Sequence, residues 1–344
     1  MRLRQEHIVQ AAIVVAAAGL LVLWPGGIEE GAMVIGHTAD PWGDTTLHTL
    51  FVGDVMLDRN VAVHAAQAGD DVLFAGVEPL FKSKDMVIGN LEGTITDNQS
   101  IAQQDHSILR FTFDPHFAAF LKSIGFTALS QANNHSLDFG QSGYLNTVAY
   151  LQAADIGSFG HALNEENLSL ELSGKGQTLC LVGYMELFKP DPTSVINEIA
   201  RLRPLCSEVV VMPHWGVEYM HDPTAAQVSL AHEFIDAGAD VVVGGHPHVV
   251  EPLEIYNNHA IFYSLGNFLF DQPFSPQVKR GLGVAIDFSA TSTRFTLIPT
   301  NTYLEASLAD ATTSQAVISD VVTDALPPTI ANSIKTTGSF ELVK

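Results

Sequence analysis

The 344-residue chain is 47% apolar and only 16% charged, so it has ample material for a packed core and is not a disordered polyelectrolyte. Its formal net charge of −22 and the lack of any Lys/Arg stripe after the first few residues argue against nucleic acid as a partner, because such binding is dominated by basic contacts to phosphate. The same charge weighs against a polyanionic partner unless metal or local arginines reverse its sign near a site.

Residues 1–7 carry Arg2 and Arg4 and read as a cytoplasmic stub. Residues 8–24, closing on Leu20-Leu21-Val22-Leu23-Trp24, contain no charge. As a helix they would span roughly 25 Å, close to the hydrocarbon thickness of a bilayer. Arginines before this run and Glu29-Glu30 after it suit a single-pass signal anchor with its N-terminus inside, Trp24 lying at the interface. A cleaved signal peptide is the rival reading, but no clean A-x-A site follows Trp24. Residues 25–46, rich in Gly and scattered polar side chains, read as a juxtamembrane linker. The expected placement is therefore the cell membrane, with the folded domain outside the cytoplasm.

Regular structure is expected from Leu47. An apolar strand over 47–52 ends at Gly53-Asp54, and a second over 86–89 ends at Asn90-Leu91-Glu92. Helical spacing over 115–123 precedes a strand over 126–130, which ends at Ala132-Asn133-Asn134-His135. Then come a helix over 140–153, a strand over 178–184, a helix over 195–202 and a strand over 208–212 ending at Pro213-His214-Trp215-Gly216. A helix over 224–237 stops at Gly238, and a strand over 240–243 ends at Gly244-Gly245-His246-Pro247-His248. Strand-like runs follow at 253–256, 260–264, 283–288 and 294–299. This alternation predicts an α/β domain over 47–308 with one layered core. Residues 309–344, with weak apolar spacing, read as a C-terminal extension, either a peripheral helix or a loose tail. Cys180 and Cys206 form no CxxC pair and are expected as two buried thiols, with one disulfide as the alternative.

The chemistry-bearing residues collect where strands end. Asp54, Glu92, Asn134 with His135, His214, and His246 with His248 close five separate strands, and sites in open α/β sheets gather at carboxyl ends of strands. Oxygen and imidazole donors converging there suit Mn, Fe or Zn ions. Each residue alone has a blander explanation. Glu92 could cap a helix, Asn134 could fill a turn, and a single His could be a satisfied core residue. The ordered set is more specific than any member. Trp215 and Tyr219 could stack on a substrate but are more readily explained as packing beside the site.

Taken in order, Gly53-Asp54-Val55-Met56 through Arg59, Gly89-Asn90-Leu91-Glu92, Ala132-Asn133-Asn134-His135 with Asp138 and Gly140, Pro213-His214-Trp215-Gly216 with Glu218-Tyr219, Gly245-His246-Pro247-His248, and Tyr263-Ser264-Leu265-Gly266-Asn267-Phe268 with Asp271 resemble the CapA family of capsule and poly-γ-glutamate biosynthesis proteins. That family looks related to calcineurin-like metallophosphoesterases. The resemblance implies a four-layer α/β/β/α sandwich of metallophosphoesterase type, preceded here by one N-terminal transmembrane helix. It also implies metal ligands at Asp54, Glu92, Asn134, His214, His246 and His248, with Glu92 as the bridging carboxylate beside the attacking hydroxide and His135 as the acid or a transition-state donor. Arg59 and Asn267 are expected at the substrate, Arg59 having a surface ion pair as its alternative role. One departure matters. Met56 stands where the superfamily's first motif has a histidine, and Met is a poor ligand for hard divalent ions. One firm metal position, held by Glu92, Asn134, His214 and His246, is expected beside a weak or empty one left with Asp54, Glu92 and His248. The implied activity is that of a metal-dependent hydrolase or transferase using a metal-bound water on an envelope polymer or its precursor, alongside membrane subunits of a polymer synthase. A non-catalytic polymer-binding or export scaffold with a degenerate metal site is the alternative, and a general phosphoesterase a third reading.

Overall fold

The computed structural model describes residues 45–189 and 191–344. The span expected over 8–24 lies outside them, and among the described residues no helix is long and apolar enough to cross a membrane.

Two sheets carry the domain. In the first, strands Leu47–Val55, Met86–Leu91, Ala128–Ser130 and Gly157–Phe159 run parallel, and an antiparallel wing of Arg280–Phe288 and Ser292–Asn301 extends the other edge. In the second, Gln177–Met185, Glu208–His214, Val241–Val243 and His259–Phe262 run parallel, flanked by antiparallel Ser169–Gly174 and Leu253–Tyr256. Parallel strands need crossovers, and helices supply them here. Helix His116–Ile124 puts Phe117, Leu121 and Ile124 against the outer face of the first sheet, where they join Val52, Val87 and Leu129. Helices Thr193–Leu202 and Ala225–Asp236 bury Val195, Ile199, Leu230 and Phe234 against the outer face of the second, beside Val182, Val211 and Val242. Between the sheets, Phe51, Ile88 and Val284 of one meet Leu181, Val210 and Val243 of the other. The order is helix, sheet, sheet, helix, the four layers expected.

Helix Ala225–Asp236 starts on a capping box in which Thr224 accepts from the Gln227 N–H and Gln227 reaches back to Thr224, as its sequence promises. Several parallel strands run further than their apolar stretches, to Val55, Leu91 and His214. The polar residues at or next to their ends, Asp54, Asn90 and His214, stay in the ladder because backbone on both sides pairs with them. Strand Asn267–Leu269, absent from the sequence reading, pairs in parallel with the end of the first strand. Gly53 permits that approach, since a Cβ there would lie 1.9 Å from the Gly266 carbonyl oxygen.

Two expectations are corrected. Of the two readings of residues 309–344, a peripheral helix or a loose tail, the loose tail is wrong, and the segment adds a second helix and a strand to the expected helix. Helices Ala311–Val321 and Pro328–Thr337 bury Val317, Val321 and Ile334 in the inter-sheet core, and strand Ser339–Val343 pairs antiparallel with Ser292–Asn301. Cys180 and Cys206 are not free thiols. They form a disulfide, with Cα atoms 6.0 Å apart, between the second sheet and the turn after helix Thr193–Leu202.

Candidate metal centre

The parallel strands of both sheets point their carboxyl ends to one edge of the sandwich, and the expected ligands meet there. Asp54 is fully buried. Its Oδ1 accepts from Asn90 Nδ2 at 2.8 Å and its Oδ2 from the His246 backbone N–H at 3.2 Å, with His248 Nδ1 3.5 Å away. Burial raises its pKa, but His248, His214 and Asn90 together outweigh burial and bring it down to about 2. His214 Nε2 lies 2.8 Å from Asn134 Oδ1, and its ring centroid 4.8 Å from that of His246. Burial, and then the neighbouring His246, holds the His214 imidazole well below its ordinary pKa, and burial with His248 lowers His246 to about 4, so both rings favour the neutral, ligating form.

Glu92 is the exceptional group. It is fully buried, and neither carboxylate oxygen has a hydrogen-bond partner among the described residues. Its Oε1 faces His248 Nε2 at 3.6 Å and His135 Nε2 at 3.9 Å, too far for hydrogen bonds. Burial drives its pKa well up, Asp54 and Glu218 adding to the rise while His248 opposes it. His248, which burial alone would depress, is raised to about 9 by Glu92 and Asp54. An unpaired buried carboxylate is costly, and a cation removes that cost. One donor atom each from Asp54, Glu92 and His214 lies within 4.8 Å of the others, and so does one each from Glu218, His246 and His248. Oxygen and imidazole donors in these sets fit a divalent transition metal.

His135 Nδ1 sits 2.8 Å from Asp138 Oδ2, which also accepts the Phe111 N–H at 2.7 Å, and its ring lies over Phe111 at 4.3 Å. Asp138 therefore fixes the ring so that Nε2 points toward Glu92. Asn133, buried, donates to Asn90 Oδ1 and Leu91 O and accepts the His135 N–H, which ties two strand ends together. None of Asp138, Asn90 and Asn133 was given a role by sequence reasoning. The His135–Asp138 spacing of three residues was the one available signal.

Asn267, expected at the substrate, does not line the cleft over the site. It is fully buried behind His248, accepting at Oδ1 from His248 Nδ1 at 2.9 Å while its amide donates to Val278 O and Gln272 Oε1. Because that amide nitrogen is committed to carbonyl acceptors, Asn267 Oδ1 holds a proton on His248 Nδ1 and orients the ring with Nε2 toward Glu92. Trp215 is core, donating Nε1–H to Tyr263 O at 2.8 Å, whereas Tyr219 is half-exposed and stacks on His248 at 6.0 Å. Trp215 packs as expected, whereas Tyr219 is exposed beside the site rather than in the core.

A cleft of about 350 Å³ opens over Glu92, His135 and His248. Arg59 lies on its wall, near Phe111 and Phe270 at 5.0 and 5.7 Å from their ring centroids. One guanidinium nitrogen pairs with Asp271, while its Nε is buried without a partner among the described residues. Its backbone sits at φ +48°, a strained setting for a non-glycine residue. Arg59 is thus neither a surface ion pair nor a free cation. A cleft of about 340 Å³ elsewhere is lined by the internal pairs Arg203–Asp240 and Lys344–Glu208 and gathers no metal-ligand set among the described residues.

Four layers and a strand-end cluster of carboxylates and imidazoles define an α/β protein built around a candidate metal centre. The chain belongs to the bacterial capsule synthesis protein PGA_cap family, whose model matches residues 48–272. It is 34% identical over 284 residues to the PGA biosynthesis protein CapA of Bacillus subtilis (strain 168), covering 78% of this chain and 73% of that protein. It is 33% identical over 243 residues to the capsule biosynthesis protein CapA of Bacillus anthracis, covering 64% of this chain but only 59% of that one. Among solved structures, the NAD nucleotidase of Haemophilus influenzae is similar at 11% identity and a TM-score of 0.45, over 82% of this chain and 64% of that chain. A TM-score below 0.5 at that identity assigns no activity.

Proposed function

We propose that this chain is a metal-dependent hydrolase or transferase of metallophosphoesterase type that acts on a capsular or poly-γ-glutamate polymer, or its precursor, outside the cytoplasm. The observation that carries the reading is Glu92, whose two buried oxygens lack hydrogen-bond partners among the described residues and lie near the donors of Asp54, His214 and His248. Membrane attachment through residues 8–24 and work beside membrane subunits of a polymer synthase belong to the same reading. The Cys180–Cys206 disulfide supports an oxidising compartment for the domain.

Asp54, Glu92, Asn134, His214, His246 and His248 would hold the ion, which supplies Lewis-acid polarisation and positive charge when bound. The protein's own residues do the rest. Asp138 holds His135 through Nδ1, so the imidazolium form offers Nε2–H to a leaving group over the cleft. Asn267 fixes the orientation of the His248 ring. Arg59, stiffened by Asp271 and the two Phe rings, offers its remaining donors to an anionic group of the substrate.

The test is turnover of γ-glutamyl polymer and of phosphoester substrates by the full-length chain with added Mn²⁺. Arg59→Lys is expected to lower kcat/KM on anionic substrates about 10- to 100-fold, the equivalent of one charge-assisted hydrogen bond of about 1.5–3 kcal/mol. Unchanged turnover in Arg59→Lys would remove its anion-binding role. Absence of turnover on every substrate by a metal-loaded chain would favour the second reading, a polymer-binding or export scaffold. Met56 is the residue that speaks for that reading, since its side chain is fully buried and brings no hard donor to the centre.

A further inference from the structure

Met56 cannot serve as a ligand in this fold for a second reason besides its softness. Its sulfur accepts the Asp58 N–H at 3.0 Å, and Asp58 is itself locked by Ser100, Gln103 and the Thr112 N–H. The turn that would carry a histidine toward the centre is thus packed and committed. A carboxylate approaches from a different part of the chain. Glu218 follows strand Glu208–His214 by four residues, is exposed, and brings an oxygen within 4.8 Å of one ring nitrogen each of His246 and His248.

The loop carrying Glu218 is anchored on both sides. The Gly216 N–H donates to Glu186 Oε2 at 2.8 Å, and the Tyr219 N–H donates to Pro247 O, between the two histidines, also at 2.8 Å. Tyr219 adopts φ +64°, His246 φ +95° and His248 φ +58°, so three neighbouring non-glycine residues hold left-handed backbone. Strain of this kind persists only where the surroundings fix it and concentrates at functional sites. An independent observation points to a ligand. His246 is 97% buried by its 3% exposure, and its Nδ1 has no hydrogen-bond partner among the described residues.

We propose that Glu218 is a metal ligand that, with His246 and His248, completes a second divalent-cation position and replaces the donor Met56 withholds. Two imidazoles and one carboxylate form a donor set that holds Zn²⁺, Fe²⁺ or Mn²⁺ and leaves positions open. This inference rests on reading the strand-end cluster as a metal centre. It changes the expected occupancy from one firm ion to two, and it puts the second ion at the mouth of the cleft, because Glu218 lines that cleft and is exposed.

The experiment uses the full-length chain, stripped with chelator and titrated with Mn²⁺, with stoichiometry and affinity read by elemental analysis and calorimetry. Wild type is expected to hold two ions per chain. Glu218→Gln, a change at an exposed position that keeps size, is expected to keep one ion at wild-type affinity and to weaken the other by more than about 10-fold. Two ions at wild-type affinity in Glu218→Gln would overturn the assignment. A single ion in wild type would overturn it as well, while leaving the centre at Asp54, Glu92 and His214 standing. No ion in wild type would overturn both the assignment and the metal centre beneath it.

Discussion

Glu92→Gln is expected to remove most of the response of the protein to divalent metal, leaving only what the Glu218, His246 and His248 position contributes, and to lower any metal-dependent turnover by about 10²- to 10⁴-fold. The side chain keeps its volume and loses only its charge. In the wild type that carboxyl group is fully buried with no hydrogen-bond partner among the described residues, next to Asp54 and 3.6 Å from His248 Nε2. A cation binds such a site because it meets two uncompensated oxygens, and a neutral amide offers it one weak acceptor. Thermal unfolding with and without Mn²⁺ reads this directly. At an ion concentration about 100 times Kd, binding to the folded state alone adds about 2.7 kcal/mol to wild-type stability. In Glu92→Gln most of that increment disappears. An equal metal-dependent increment in both proteins would show that Glu92 is not at the metal.

Replacing Cys180 and Cys206 together with Ala is expected to cost about 3 kcal/mol, from the loop of 26 residues the bond closes. Both residues lie in the core of the second sheet, where Cys180 neighbours Val182 and Cys206 closes the turn after helix Thr193–Leu202. Urea unfolding gives the measurement. The double variant and the reduced wild type should coincide, both less stable than the oxidised wild type. Coincidence of all three curves would mean that the bond contributes nothing to stability.

Much of the candidate site was legible because its residues follow apolar runs. Asp54, Glu92, Asn134, His135, His214, His246 and His248 each mark the point where a buried strand stops, and the structure brings all seven to one edge. What was not legible depends on contacts between distant segments. Asn267 reads like a cleft residue, yet the parallel pairing of Asn267–Leu269 with the first strand turns it inward behind His248. Glu218 lies in a loop among exposed apolar residues, Val217, Tyr219 and Met220, and only the bond from Tyr219 to Pro247 brings it to the histidines. Cys180 and Cys206 carry no local spacing signal, since their pairing is set by how helix Thr193–Leu202 returns to the sheet. Strand Ser339–Val343 is short, and its alternating Phe340 and Leu342 follow a Ser/Thr-rich stretch, so its place in the sheet comes from the partner Ser292–Asn301 rather than from its own pattern.

The central claim is that the strand ends hold metal. The most direct measurement is elemental analysis of the purified full-length chain after Mn²⁺ loading and desalting, compared with the triple variant Asp54→Asn, His214→Ala, His248→Ala, which removes donors from both ligand groups. Stoichiometric Mn in wild type and none in the variant is the predicted result. A folded wild type that retains no Mn, and none after Zn²⁺ or Fe²⁺ is offered instead, would contradict the claim.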